Sequence, residues 1–142
     1  MTRPPRILIV DDERMIVDYL EEYLQRLGYE TATAANGREA LEKVAVDSPD
    51  LILLDIVMPV IDGLKVCRIL KGDEVTRLIP IVIMTSLDGI EDRIKGIEAG
   101  ADDYLPKPIN PRELTARIET ALRLKRNVDL KIICINNFTY GM

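Results

Sequence analysis

Five polar residues of the sequence stand at or next to the C-terminal ends of short apolar runs. They are three acids, a hydroxyl and an amine, at Asp11, Asp12, Asp55, Thr85 and Lys107. Carboxylates gathered in one place repel each other and resist ionisation unless a cation is near. A hard divalent ion such as Mg²⁺ relieves that repulsion, because it takes oxygen ligands and bridges readily to phosphate. These residue types therefore indicate a metal-assisted reaction of a phosphorylated compound.

The chemistry expected of such a group is transfer of a phosphoryl group to a carboxylate. A carboxylate held beside the ion can attack phosphorus and form an acyl phosphate, while a nearby lysine offsets the charge of the transferring group. Taken singly, Asp11 and Asp12 could merely cap a helix, and Asp55 could begin a turn. Thr85 could likewise be a loop hydroxyl that bonds no phosphoryl oxygen, and Lys107 a solvated charge. A functional role is favoured over these separate structural roles, because all the positions lie at strand ends. Open α/β sheets bind their ligands at that edge.

Three runs are apolar at every position, and they cover residues 7–10, 51–54 and 81–84. A strand with one face in water would alternate apolar and polar residues, so these runs predict strands that are buried on both faces. Such strands are typical of a parallel sheet covered by helices. Residues 29–34 and 103–106 are weaker strand candidates.

Helical patterns, with apolar residues three and four apart, lie between the strand candidates. Their apolar residues are Ile16, Leu20, Tyr23, Leu24, Leu27, Leu41, Val44, Ala45, Val66, Cys67, Leu70, Ile90, Ile94, Ile97, Leu114, Ile118, Ala121 and Leu122. Capping boxes are predicted for Asn36 with Glu39, Asp88 with Glu91, and Asn110 with Glu113. Gly28 and Gly100 are suitable helix stops. Five repeats of strand then helix predict an α/β fold, a doubly wound five-stranded parallel sheet with helices on both faces.

The composition argues against several other classes of function. The chain has 142 residues and a formal net charge of -5, so one globular domain is expected and non-specific nucleic-acid binding is not. It has no histidine, and its cysteines, Cys67 and Cys134, lack metal-ligand spacing. No stretch is apolar for long enough to span a membrane, and the first residues lack the apolar segment of a signal peptide. We therefore expect a soluble cytoplasmic protein without a membrane partner.

Four segments, in this order, resemble the receiver domains of two-component response regulators. They are Val10-Asp11-Asp12-Glu13, then Asp55-Ile56-Val57-Met58-Pro59 with Asp62-Gly63, then Met84-Thr85-Ser86, and finally residues 100–108 with the sequence GADDYLPKP. The resemblance covers about residues 5–125, which we take as the receiver domain, and leaves residues 126–142 as a C-terminal tail or the start of a linker. It implies a flavodoxin-like (βα)5 fold with the strand order 2-1-3-4-5, as in the chemotaxis receiver.

A phosphorylation-dependent signalling switch is what this resemblance implies. Asp55 would accept a phosphoryl group from a sensor histidine kinase or a phosphotransfer protein. Asp12 and Asp55 would ligate Mg²⁺ directly, with the backbone carbonyl of Val57 as a third protein ligand. Asp11 would act on the ion mainly through water.

The same resemblance implies how the switch would be read. Lys107, joined to Pro108 by a cis peptide bond, would pair with the phosphoryl group. Thr85 and Tyr104 would form a switch pair, in which the hydroxyl moves toward the phosphate and the ring turns inward. The surface of the fourth helix, fifth strand and fifth helix would then change and control an output domain or a downstream protein, and it could join two copies as a homodimer. Such a domain does not contact nucleic acid directly, and it is not an enzyme, since it catalyses only its own phosphorylation and dephosphorylation.

Slow self-dephosphorylation is a further expectation. In receivers, the positions two residues after the acceptor and two after the threonine flank the path of the hydrolytic water. Here they are Val57 and Leu87, and neither apolar side chain can orient a water molecule.

Three alternatives stay open at this point. A phosphatase of the haloacid dehalogenase type also forms an aspartyl phosphate, but it needs a second acid two residues after the nucleophile, where Val57 stands. A pseudo-receiver could bind a partner without phosphorylation, although all the acidic, threonine and lysine positions are retained. The chain could be a stand-alone receiver or a fragment of a protein with a winged-helix or diguanylate cyclase output.

Overall fold

The computed structural model describes residues 3–86 and 90–140, with side chains described as far as residue 127. Within these residues the strands are β1 (Arg6–Val10), β2 (Glu30–Ala34), β3 (Leu51–Asp55), β4 (Ile81–Thr85) and β5 (Asp103–Pro106). The helices are α1 (Arg14–Arg26), α2 (Gly37–Val46), α3 (Gly63–Lys71), α4 (Ile90–Glu98) and α5 (Pro111–Tyr140). Strands and helices alternate along the chain, which confirms the predicted α/β class. The predicted cap at Asp88 and the position of Leu87 lie outside the described residues.

All strand pairs of the sheet are parallel, and the strand order is β2-β1-β3-β4-β5. This is the order that the sequence resemblance implied. The three runs that were apolar throughout form the interior strands β1, β3 and β4. The two weaker candidates form the edge strands β2 and β5, which are only partly buried. An edge strand has a neighbour on one side only, so its sequence need not be apolar at every position.

Alternate residues of the interior strands pack into two separate cores, one on each face of the sheet. On β1, Leu8 and Val10 pack with residues of α2 and α3, whereas Ile7 and Ile9 pack with residues of α1 and α5. Cys67 of α3 lies in the first core and is fully buried. The doubly wound arrangement that the buried strands predicted is therefore present.

Predicted capping residues are found at the ends of several helices. The Asn36 side chain accepts a hydrogen bond from the Glu39 amide at 2.9 Å, as predicted. The Glu39 carboxylate accepts from the Ala35 amide, so the predicted box closes one residue earlier than expected. Gly28 and Gly100 follow α1 and α4 with φ values of 95° and 96°, which suit glycine at a helix stop.

The apolar pattern that predicted α4 does not face the core. Ile90, Ile94 and Ile97 are 76%, 44% and 67% exposed. Gly96 is buried instead, and a Cβ built on it would lie only 3.2 Å from Ile83 Cδ1 of β4. The missing side chain of Gly96 thus lets α4 approach the sheet closely and leaves its isoleucines on the surface.

The last helix, α5, is much longer than the other helices. Its predicted core residues Leu114, Ile118 and Ala121 are buried, and it continues as one helix to Tyr140. Near its start it is tied to α1, because the Tyr23 hydroxyl lies 2.7 Å from Thr115 Oγ1. Residues 130–135, which are apolar except for Lys131, therefore extend this helix. No helix in the described part of the chain is apolar over a length that would span a membrane.

The predicted division of the chain at residue 125 stays a prediction, because α5 runs through that position without a break.

Candidate functional site

The predicted site residues meet at the carboxyl edge of the sheet. Asp11 follows β1, Asp55 and Thr85 are the last residues of β3 and β4, and Lys107 follows β5. The strand register brings these ends side by side, since Val10 pairs with Leu54 and Asp55 pairs with Met84. The apolar runs of β1, β3 and β4 are thereby followed by polar groups at the carboxyl edge of the sheet.

Three acids form one cluster at this edge. Asp11, Asp12 and Asp55 each offer a carboxylate oxygen, and these oxygens all lie within 4.8 Å of one another. Asp11 and Asp55 are buried, at 1% and 4% exposure, whereas Asp12 is exposed. Oxygen donors with one side open to solvent fit Mg²⁺, which usually keeps several waters when it binds to protein. The cluster could hold a metal ion of this kind.

The surroundings of Asp55 oppose its negative charge. Burial raises the pKa of Asp55 from its ordinary value of 3.8 to about 6, and the nearby Asp11 charge acts in the same direction. The Lys107 charge and a hydrogen bond from the Val57 amide act against that rise. A divalent cation beside Asp55 would favour its ionised form, because an opposite charge stabilises a carboxylate.

Lys107 supplies the positive charge of the site. Its Nζ lies 2.7 Å from Asp11 Oδ2 and 3.5 Å from Asp55 Oδ2, and only 9% of the side chain is exposed. Burial opposes the charge of the ammonium, but the hydrogen bond to Asp11 and the charges of Asp11, Asp55 and Glu13 together raise the pKa of Lys107. Its amide donates to the Thr85 carbonyl at 2.9 Å, and its bond to Pro108 is cis, as the resemblance implied.

Glu13 belongs to the same group of charges. It stands in the first receiver-like segment of the sequence, but no role was predicted for it there. Its carboxylate lies 3.5 Å from Lys107 Nζ. The available signal was its position directly after Asp11 and Asp12, at the end of β1. Nothing in that position alone distinguishes it from an ordinary solvated acid at the start of a helix.

The loop after β3 holds the Asp55 backbone closely. Gly63, the first residue of α3, donates its amide to the Ile56 carbonyl at 2.9 Å. A Cβ built on Gly63 would lie 2.0 Å from the Asp55 carbonyl oxygen, so only glycine fits there. Between them, Val60 has a φ of 73°, a left-handed conformation that β-branched residues rarely adopt. The Asp62 side chain caps α3 by accepting from the Lys65 amide at 2.9 Å.

Thr85 and Tyr104 lie on neighbouring strands, and their roles as a switch pair stay a prediction. Thr85 is fully buried, and Tyr104 is half-buried in β5. The Arg93 guanidinium of α4 lies 5.9 Å from the centre of the Tyr104 ring, within the range of a cation–π contact. Tyr104 also lines a small cleft with Ile97 and Asp103. The ring is therefore part of the surface between α4 and β5.

Known proteins resemble this chain over most of its length. The response regulator receiver domain family matches residues 7–119. The chain is 45% identical over 118 residues to the alkaline phosphatase synthesis transcriptional regulatory protein PhoP of Bacillus subtilis, across 83% of this chain and 48% of that protein. It is 50% identical over 124 residues to the response regulator PleD of Caulobacter vibrioides, across 87% of this chain and 27% of that protein. The chain thus spans about half of the first relative and about a quarter of the second.

Solved structures share the fold. A CheY-like response regulator receiver domain protein from Methanospirillum hungatei is 32% identical, with a TM-score of 0.81 over 87% of this chain and 98% of that one. The chemotaxis protein CheY4 of Vibrio cholerae is 33% identical, with a TM-score of 0.79 over 83% of this chain and 98% of that one. With the buried acids at the sheet edge and the match over residues 7–119, the chain belongs to the receiver domains of two-component response regulators.

Proposed function

We propose that this domain is a signalling switch in which Asp55 accepts a phosphoryl group. One observation carries the proposal: the Asp55 carboxylate is buried beside Asp11, with Lys107 Nζ only 3.5 Å away. Lys107 compensates the Asp55 charge only in part, and an incompletely paired buried carboxylate is costly. An ion or a phosphoryl group bound there would change its environment strongly. The site is therefore suited to exist in two states, one with a free Asp55 carboxylate and one with a phosphoryl group on Asp55.

The reaction would proceed by attack of an Asp55 carboxylate oxygen on phosphorus. The donor would be a phosphohistidine of a sensor histidine kinase or of a phosphotransfer protein. A new P–O bond forms, the P–N bond breaks, and the leaving imidazole nitrogen keeps the electron pair and takes a proton from water. The product is an acyl phosphate on Asp55, which conserves the energy of the donor bond.

The surrounding residues have defined parts in that transfer. Asp11, Asp12, Asp55 and the carbonyl of Val57 would hold Mg²⁺, and the ion would offset the negative charge of the phosphoryl group. The Lys107 ammonium would contact the phosphoryl oxygens and offset their charge. The Thr85 hydroxyl, at the end of β4, would donate a hydrogen bond to one of them. Water attack on phosphorus would later return Asp55 to its carboxylate, so the domain acts only on itself and on no separate substrate.

A direct test is phosphorylation by acetyl phosphate with and without Mg²⁺. The wild-type protein should gain the mass of one phosphoryl group when Mg²⁺ is present, and Asp55→Asn should gain none. Asp18→Asn is a matched control, because Asp18 is an exposed acid of α1 that pairs with Arg14. Full labelling of Asp55→Asn, or no labelling of the wild type, would contradict the assignment.

Phosphorylation of Asp55 would change the surface formed by α4, β5 and α5, where Tyr104 lies, and a partner would recognise that change. Three isoleucines of α4 are exposed there, and such a patch suits contact with a partner or a second copy. The charged residues on this surface include Arg93, Glu98, Asp102, Asp103, Glu113, Arg117 and Arg123. Because both signs are present, two copies could pair reciprocally across a two-fold axis. The surface would control an output domain, a downstream protein or the partner copy.

Within one copy, Arg117 already bridges two of these acids. It lies 3.5 Å from Asp103 and 3.7 Å from Glu113. Pairing of two copies would exchange such contacts and would add little from each, about 0 to 1 kcal/mol. The metal-free, unphosphorylated protein is therefore expected to be largely monomeric. When two copies associate, burial of the α4 isoleucines should supply most of the favourable free energy.

Light scattering with and without beryllofluoride, which mimics a phosphoryl group, tests this surface. Beryllofluoride should promote a dimer, and Arg117→Glu should weaken it. Arg38→Glu is the control, because Arg38 makes a similar pair with Glu42 on α2, away from this surface. A monomer at high concentration in beryllofluoride, or a dimer insensitive to Arg117→Glu, would count against this surface.

A further inference from the structure

The Lys107 ammonium lies near three carboxylates that differ in distance and in solvent exposure. Asp11 is at 2.7 Å, and Glu13 and Asp55 are both at 3.5 Å. The side chains of Asp11 and Asp55 are buried, whereas that of Glu13 is 62% exposed. Glu13 therefore reaches the lysine from the solvent side of the site.

Glu13 stands at a position where its residue type is unusual. It is the N-cap residue of α1, and its side chain makes no capping hydrogen bond. Short side chains are favoured at this position because they can accept from the first amides of the helix, as Asn36 and Asp62 do for α2 and α3. A local preference that is broken beside a site often reflects function.

The backbone of Glu13 is nevertheless firmly placed. Its amide donates to Asp11 Oδ1 at 2.9 Å, and its carbonyl accepts from the amides of Ile16 and Val17 at 3.1 Å. The side chain thus starts from a fixed point and makes no capping bond to the helix that follows. The Glu13 carboxylate instead lies 3.5 Å from Lys107 Nζ.

The cluster that could hold a metal includes Asp11 and Asp55 but not Glu13. A divalent cation would engage the charges of Asp11 and Asp55 and so weaken their attraction for the ammonium. The attraction of Glu13 would remain. In the loaded site, Glu13 is therefore the carboxylate that still competes with an incoming phosphoryl group for Lys107.

We propose that Glu13 is a positioning residue, which holds Lys107 on the Asp11 side of the site and limits its transfer to the phosphoryl group. This inference rests on the proposed role of Asp55. Removal of the Glu13 charge should let Lys107 bind the phosphoryl group more readily. The effect should be about two- to five-fold in affinity, the range that an exposed ion pair supplies.

The test is a calorimetric titration of beryllofluoride in saturating Mg²⁺, together with a separate titration of Mg²⁺ alone. Glu13→Gln should bind beryllofluoride about two- to five-fold more tightly than the wild type. Asp18→Asn, which removes an exposed acid of the same helix, should bind like the wild type. Equal affinities in Glu13→Gln and the wild type, or an equal gain in Asp18→Asn, would overturn the proposal. A loss of Mg²⁺ affinity in Glu13→Gln as large as the expected gain would also overturn it, because Glu13 would then serve the ion.

Glu13→Asp separates position from charge. Aspartate keeps the negative charge and suits an N-cap, but it is one methylene shorter, so its carboxylate should lie farther from Lys107 than that of Glu13 does. If reach matters, Glu13→Asp binds beryllofluoride as tightly as Glu13→Gln. If it binds like the wild type, charge alone is responsible and the proposal fails. A wild-type protein that binds no beryllofluoride overturns the proposed function and this role with it, whereas wild-type binding with unchanged variants overturns only the role of Glu13.

Discussion

Lys107 Nζ lies 2.7 Å from Asp11 Oδ2, and both side chains are almost fully buried. The lysine is therefore bound to the acid beside the proposed acceptor more closely than to Asp55 itself, which lies 3.5 Å away. This arrangement leaves the charge of Asp55 only partly compensated. Burial consequently dominates the pKa of Asp55 and raises it to about 6.

The stability of the metal-free protein should depend on the protonation of Asp55. Because its pKa is raised from 3.8 to about 6, the folded protein keeps a proton that the unfolded chain loses between these pH values. The free energy of unfolding should therefore fall as pH rises through that window, and the loss should be complete above about pH 6. At pH 7, Asp55→Asn should be more stable than the wild type by about 1–3 kcal/mol. Denaturant unfolding in a chelator, at pH 4 and pH 7, measures this difference.

Asp18→Asn is again the control, and it should follow the wild type at both pH values. Saturating Mg²⁺ should remove most of this advantage at pH 7, because a ligand held at a hundred times its dissociation constant stabilises the folded wild type by about 2.7 kcal/mol, which is similar in size. The same advantage of Asp55→Asn at pH 4 and at pH 7 would show that the ionisation of Asp55 is not its cause.

Gly63→Ala should disrupt the site through the backbone. The added Cβ would lie 2.0 Å from the Asp55 carbonyl oxygen and 2.8 Å from Ile56 Cα, so the chain around Asp55 must move. We expect a loss of about 1–3 kcal/mol or more in the free energy of unfolding. The protein that remains folded should be labelled more slowly by acetyl phosphate. Denaturant unfolding and labelling rates are the measurements.

Gly96→Ala provides the comparison for that substitution. Its added Cβ would meet only the end of a flexible side chain, Ile83 Cδ1, at 3.2 Å. Alanine is also about 1 kcal/mol better than glycine inside a helix, which offsets the tight contact. Similar losses in both variants would mean that the contact of Gly63 with the Asp55 backbone has no special importance.

Val60→Asn should stabilise the protein. Val60 is 75% exposed and has a φ of 73°, so its side chain contributes little packing and its backbone is strained. Asparagine tolerates this conformation better, and a left-handed residue costs about 1–2 kcal/mol. We expect a gain of about 0.5–1.5 kcal/mol in the free energy of unfolding, measured in denaturant. Val75→Asn, at another exposed loop valine without a positive φ, should give no such gain. If it gives the same gain, the backbone of Val60 is not the reason.

The phosphorylated state should be long-lived. Val57 is 58% exposed beside Asp55, and Leu87 lies outside the described residues. Polar side chains at both positions could orient a water molecule toward phosphorus, so Val57→Asn combined with Leu87→Gln should accelerate the decay several-fold. The rate is followed by loss of the phosphoryl mass after the donor is removed. An unchanged decay rate in the double variant would show that these two side chains do not control the lifetime.

The fold was predictable from the sequence where burial is extreme. The interior strands are apolar at every position because helices cover both faces, and few other folds produce that pattern. The edge strand β2 contains Thr31 and Thr33, so its prediction was weaker. The site was predictable because Asp11, Asp55, Thr85 and Lys107 each mark the end of a strand.

Contacts between distant segments could not be predicted in the same way. The approach of Glu13 to Lys107 depends on how α1 begins and on where β5 ends, which no local pattern encodes. The isoleucines of α4 follow the spacing of a core face, yet Gly96 turns the opposite side toward the sheet. Packing between elements decides such cases, and a single sequence carries that information only indirectly.

The length of α5 allows a small movement near the sheet to become a larger displacement at the far end of the helix. The first half of the helix is held against the sheet and is pinned to α1 by Tyr23, while the helix continues to Tyr140. At 1.5 Å per residue, the helix extends about 28 Å from the buried Ala121 to Tyr140. An α-helix is stiff along its axis, so a small tilt of the pinned half becomes a larger displacement at residue 140. A change at the phosphorylation site could thus be transmitted by rigid-body motion, without any melting of the helix itself.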